Sequence, residues 1–144
     1  MSKIPARSLQ DKSSWGEGPW QSEHDLERWK DYSTGYWCQI ERASEGHLNG
    51  YVKIDEGHPL FGRDWLSEEV RALEVERRNV ITVYHPGDEP PSYWLGFACN
   101  GMYEMSPVDK VLGMSTIQGS RYITWEEVKE DVLSLARQIR EHES

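Results

Sequence analysis

Two short segments of this chain, Tyr36-Trp37-Cys38-Gln39-Ile40-Glu41-Arg42 and Leu48-Asn49-Gly50-Tyr51-Val52-Lys53-Ile54, are separated only by Ala43-Ser44-Glu45-Gly46-His47. In the first, Trp37, Gln39 and Glu41 alternate with Cys38, Ile40 and Arg42. In the second, Leu48, Gly50, Val52 and Ile54 fall on one side and Asn49, Tyr51 and Lys53 on the other. A period of two places successive side chains on opposite faces of a strand. Glu45-Gly46 is a turn signal between them. The spacing therefore predicts a β-hairpin with one face towards a core.

Towards the C-terminus, Gly57-His58-Pro59-Leu60-Phe61-Gly62-Arg63-Asp64 reads as a constrained loop. Proline fixes the chain after His58, and the glycines allow turns or close approach. Asp64 is placed to cap a short helix from Trp65 to Arg71. Leu73 to Tyr84 reads as one long strand with a bulge or change of face near Arg78-Asn79. His85 to Ser92, with three prolines, is a loop. Tyr93 to Cys99 is a continuous apolar run that predicts a buried central strand. Residues 100–123 read as irregular, and long irregular loops are often functional. Thr124-Trp125-Glu126-Glu127 is a capping box, followed by Val128, Val132, Leu135 and Ile139 on one helical stripe.

Towards the N-terminus, Ser22 to Lys30 reads as one or two helical turns with Ser22 as cap, and residues 1–19 as a flexible arm. The expected fold is α+β. One domain, residues 20–144, holds an antiparallel sheet of about four or five strands with the C-terminal helix packed on one face.

Composition bounds the function. The chain has 144 residues and a formal net charge of −9. Bulk DNA or RNA binding and adhesion to anionic membranes are disfavoured, because both depend on basic groups meeting phosphate. No apolar run is long enough to span a bilayer, and Met1 to Gln10 lacks the apolar core of a secretory signal. With Cys38 and Cys99 in apolar runs, the expectation is buried free thiols and a cytoplasmic location in the host cell. Seven tryptophans and seven tyrosines stand against two phenylalanines. That excess points to a binding surface, because Trp and Tyr combine an apolar body with a polar handle.

The chemistry of a catalytic centre is hard to find. His47, Asp55 and His58 lack a standard metal-ligand spacing, so neither a metal nor a cofactor is expected. There is no phosphate loop and no nucleophile elbow. A strand between His47 and His58 would span about 23 Å, which weakens an acid–base pair made of the two. A ligand surface is easier to assemble. Tyr51 or Trp94 would stack a flat base, Arg63 and Arg78 would meet phosphate, and His47 and His58 would fix ribose or phosphate. Ordinary solvated sheet pairs are the competing reading of the same side chains.

The motifs Gly46-His47-Leu48, Gly50-Tyr51-Val52, Gly57-His58-Pro59-Leu60 and Gly62 carry a resemblance, as do Val80-Ile81-Thr82 and Trp94-Leu95-Gly96-Phe97-Ala98-Cys99. The chain resembles a family of small bacteriophage and prophage proteins over residues 19–142. That family's pattern has Asp where this chain has Ala98, Ala-His where it has Asn100-Gly101, and Cys where it has Asn49. The resemblance implies a phage origin and brings no activity with it. Accessory phage proteins often act against host defence. The expected function is thus sequestration of a small nucleotide-derived signal, such as a cyclic nucleotide or cyclic ADP-ribose. Two alternatives are a hydrolase of that ligand using His47 and His58, and an acidic inhibitor of a host defence protein. A homodimer with a pocket at its seam is compatible with the aromatic excess.

Overall fold

The computed structural model describes the chain except residues 65, 76, 77, 86–91, 102, 103, 113–120 and 144, and the side chains of 78, 79, 84, 85, 111 and 112. Trp65, the expected start of the short helix, and most of the proline loop lie outside the described residues.

The hairpin forms as its alternation dictates. Strand β3 (Trp37–Arg42) pairs antiparallel with β4 (Leu48–Ile54), setting Cys38 opposite Val52, Ile40 opposite Gly50 and Arg42 opposite Leu48. Those residues form a buried row, while Gln39, Tyr51 and Lys53 are half-buried on the far face. Four further strands complete an antiparallel sheet: β1 (Ile4–Arg7), β2 (Leu26–Lys30), β7 (Ile81–His85) and β8 (Ser92–Ala98). The order is β1-β2-β3-β4-β8-β7. The sheet thus has six strands rather than four or five.

The C-terminal helix α3 (Trp125–Glu141) lies against β3 and β4. Its stripe, Trp125, Val128, Val132, Leu135, Ala136 and Ile139, is wholly buried against the row from the hairpin. Each fully buried aliphatic side chain of this kind contributes roughly 1.5–3 kcal/mol, so the helix and sheet stabilise one another. Both arms of the Thr124–Glu127 capping box are present. At Gly50 the helix comes close enough that a Cβ would meet Val132 Cγ2 at 2.5 Å.

Three expectations are corrected. Leu26–Lys30 is a strand, not helical turns; only Pro19–Ser22 makes a turn of 3₁₀ helix. Pairing with β3 decides this, placing Trp29 and Glu27 on the helix side, where Lys129 lies 4.8 Å over the Trp29 ring and 3.3 Å from Glu27. The stretch 73–84 is not one strand. β5 (Glu74–Val75) and β6 (Arg78–Asn79) pair with each other as a separate small sheet, and β7 then joins the main one. The change of face expected at Arg78-Asn79 is thus a change of sheet. The short helix α1 (Glu68–Arg71) is capped by Ser67, while Asp64 instead accepts from the Leu66 N–H at 2.9 Å.

The first nineteen residues, expected as an arm, carry β1, a buried Trp15 and a buried Lys12. Within 100–123, α2 (Pro107–Leu112) is helical, and its Pro107 ring packs where a Cβ on Gly46 would be. Gly46 has φ +99°, which suits glycine at that turn. Cys38 and Cys99 are both buried, and neither is in a disulfide. No helix among the described residues is long and apolar enough to cross a membrane.

Candidate functional site

The sheet has two unlike faces. One is filled by α3. The other, the far face, carries Arg28, Trp37, Gln39, Glu41, Asn49, Tyr51, Lys53 and Trp94 by strand alternation. Lys53 is paired with Trp94, and Tyr51 with Gly96, so the two aromatic rings are diagonal neighbours on adjacent strands. Gly96 is what lets Tyr51 lie down. A Cβ there would be 2.2 Å from Tyr51 Cδ1. The Tyr51 phenol hydrogen-bonds Glu41 and Asn49; burial, then the Glu41 charge, push its pKa up to about 12. It is a neutral hydrogen-bonding group at physiological pH.

Trp94 is buried, with its indole N–H donating to Ser92 Oγ at 3.0 Å. The Arg28 guanidinium lies 5.2 Å over its ring and donates to Gln39 at 2.7 Å. Trp94 is therefore a floor, and Arg28 is the cation stacked on it. Lys53 adds a second positive charge, 3.5 Å from Asp55.

The two histidines do not join this surface. His47 precedes β4 in the turn under α2; its carbonyl accepts from the Ala43 N–H at 2.8 Å. Its ring is buried, Nδ1 has no hydrogen-bond partner among the described residues, and burial lowers its pKa. Asn49 Oδ1 is the other buried side-chain atom without a partner among the described residues. His58 sits beyond the opposite end of β4. Its Nδ1 accepts from the Leu60 N–H and its Nε2 lies against the Ile139 carbonyl, both at 3.0 Å. An accepting Nδ1 puts the proton on Nε2, which donates to Ile139. Both nitrogens of His58 are thus occupied, Nδ1 in holding its own loop and Nε2 in holding the end of α3.

His58 lines a cleft of about 280 Å³ with Tyr36, Asp55, Gly57, Pro59 and Glu143. The Tyr36 hydroxyl bonds Glu143, and burial followed by that carboxylate raises the Tyr36 pKa. Its two carboxylates, Asp55, which is paired with Lys53, and Glu143, make this cleft unfavourable for phosphate. Arg63 is exposed at the neighbouring loop, with Nε donating to the Pro59 carbonyl at 3.3 Å. Arg78 lies in β6, and its side chain is outside the described residues. Of the five expected ligand residues whose side chains are described, the structure brings Tyr51 and Trp94 together.

A second constellation centres on the buried Arg42 and Asp25. Arg42 Nε lies 2.7 Å from Asp25 Oδ1, and Nη2 lies 3.2 Å from Glu23 Oε1. Its Nη1 donates to Tyr122 Oη at 2.7 Å and to the Gly46 carbonyl at 2.8 Å. Lys12 Nζ reaches Asp25 at 2.9 Å, and the N–H groups of Leu9 and Gln10 donate to the other Asp25 oxygen. Glu23 also accepts from the Trp125 N–H at 2.9 Å, at the start of α3. This network clasps the N-terminal segment, the hairpin and the helix. The sequence did carry a signal for it. Arg42 shares the inward register of Cys38 and Ile40, and an inward charge needs a buried partner.

Among the described residues no three His, Cys, Asp or Glu side chains are grouped so as to hold a metal ion. Comparison of the chain with protein-family models, with curated proteins and with solved structures gave no match.

Proposed function

We propose that the chain binds and sequesters a small nucleotide-like ligand on the far face of the sheet. In this reading it is a phage-type accessory protein acting against a host defence signal. The observation that carries the reading is Arg28 stacked 5.2 Å over Trp94, beside Tyr51 laid across Gly96. A half-buried Tyr51 ring beside a guanidinium held over the buried Trp94 indole suits a ligand with a flat base and a negative group. Arg28 and Lys53 take the place that Arg63 and Arg78 had in the sequence reading. The phage assignment is supported by the Gly46–Val52 and Gly57–Leu60 motifs.

Sequestration is favoured over hydrolysis by the histidines. His47 and His58 lie beyond opposite ends of β4, and His58 has no free nitrogen. General acid–base work needs a group within hydrogen-bond reach of the reacting proton.

The test is calorimetric titration with nucleotides, cyclic dinucleotides and cyclic ADP-ribose isomers, followed by mass spectrometry of ligand released by heat. A ligand that binds, returns intact and is weakened about tenfold or more by Trp94→Ala or Arg28→Ala supports the proposal. Arg28→Ala is the cleaner variant, because Arg28 is half-buried and Trp94 is core. A cleaved product, or affinity unmoved by Arg28→Ala, overturns it.

A further inference from the structure

The two edges of the main sheet are built differently. At one edge β1 is short and irregular: its register with β2 shifts between Ile4 and Arg7, and its sequence is Ile4-Pro5-Ala6-Arg7, after Lys3. Proline, lysine, arginine and a bulge are the devices that stop an edge from pairing with another chain. At the other edge β7 reads Ile81-Thr82-Val83-Tyr84-His85. It pairs regularly with β8 over all five residues, from Ile81–Gly96 to His85–Ser92. It carries no proline, no lysine and no carboxylate, and is made of residues that favour strands. Its outer side has no strand beside it among the described residues. Ile81 is 43% exposed, one of five large hydrophobic side chains among the described residues that are exposed.

We infer that β7 is the seam of a two-fold dimer, in which the β7 strands of two copies pair antiparallel and join the sheets. Charge selects the occupant. The chain carries a net charge of −9, so two copies repel over most of their surface. The stretch Arg78 to His85 contains no acidic residue, so here two copies can meet without opposed carboxylates. The guarded β1 edge closes the other route. Pairing of β7 with β1 of the next copy would be head-to-tail and build a ring or a filament, whereas β7 with β7 closes on itself as a dimer. Ile81 lies in the far-face row of Tyr51 and Gly96, so joining at β7 makes one continuous far face from two copies. The inference does not depend on the ligand reading, because it is read without ligand.

The experiment is sedimentation equilibrium of the full chain beside its Ile81→Lys and Leu9→Lys variants, with circular dichroism to check folding. Leu9 is exposed and lies near the guarded edge. The expected wild-type mass is twice the 16.8 kDa of one chain. Ile81→Lys should weaken self-association at least tenfold while keeping the fold, and Leu9→Lys should leave it unchanged. A wild-type mass of one chain at the highest soluble concentration overturns the inference. A dimer that folded Ile81→Lys leaves intact overturns it as well. Should Ile81→Lys not fold, Ile81→Thr is read by the same criteria.

Discussion

Arg42 and Asp25 meet inside the protein, with Nε 2.7 Å from Oδ1 and neither side chain more than 1% exposed. Asp25 also holds Lys12, so one carboxylate neutralises two buried cations. Removing it strands Lys12 and leaves Arg42 with Glu23 as its one carboxylate partner among the described residues. Asp25→Ala is expected to destabilise the fold by about 3–5 kcal/mol, the cost of leaving a buried charge unpaired. Urea unfolding of the two proteins measures this, and a loss below about 1 kcal/mol would show that the network is dispensable.

The same carboxylate predicts an acid limit. Burial pushes the Asp25 pKa up; the Gln10 N–H, Lys12, the Leu9 N–H and Arg42 outweigh it and bring the value from 3.8 down to about 2. A folded value below the unfolded one stabilises the fold above the unfolded pKa. That contribution, about 2 kcal/mol, is lost as pH falls through the folded value. Unfolding midpoints should therefore drop between about pH 4 and pH 2. Glu127, held down to about 2 chiefly by Arg121, acts in the same window. In Asp25→Asn the slope between these pH values should flatten, and an unchanged slope would assign the acid limit to other groups.

How much of this was legible depended on range. The hairpin, the central strand β8 and helix α3 were readable because their patterns are local: alternation, an apolar run, a capping box with one stripe. The strand Leu26–Lys30 was not. Nothing in its five residues outweighs a helical reading until β3 is beside it. The site shows the same divide. That Tyr51 and Trp94 are neighbours was legible because both sit on recognisable strands. Arg28 was missed because its strand was missed. The role of His58 could not be read at all, since its partner Ile139 is 81 residues away in sequence.

Two glycines should rank differently on substitution. In Gly50→Ala the new Cβ meets Val132 Cγ2 at 2.5 Å and Phe97 Cζ at 2.6 Å, both buried side chains that must repack. In Gly96→Ala it meets the Tyr51 ring at 2.2 Å and the Gly50 carbonyl oxygen, backbone, at 2.7 Å. Backbone in a central strand cannot move aside cheaply. Gly50→Ala is expected to cost about 1–3 kcal/mol and Gly96→Ala more, because overpacking without an exit forces larger shifts. Gly96→Ala should also lift Tyr51 off the far face, raising its reactivity towards tetranitromethane. Equal stability of the two variants would contradict the close seating of Tyr51 on Gly96.

His58 separates a structural role from a ligand role most sharply. Its ring takes the Leu60 N–H at Nδ1 and gives its Nε2 proton to the Ile139 carbonyl, which also accepts from the His142 N–H at 3.0 Å. In His58→Ala the carbonyl keeps its helix-end partner, but the buried Leu60 N–H loses its acceptor. An orphaned buried donor costs roughly 1–3 kcal/mol. Amide exchange at Leu60 and in the last turn of α3 should therefore quicken well beyond the rest of the sheet. Affinity for a ligand seated on the far face should not change, because His58 lies beyond the end of β4 and contacts the helix. Wild-type exchange at Leu60 combined with lost ligand binding would reverse the assignment and move His58 back into the site.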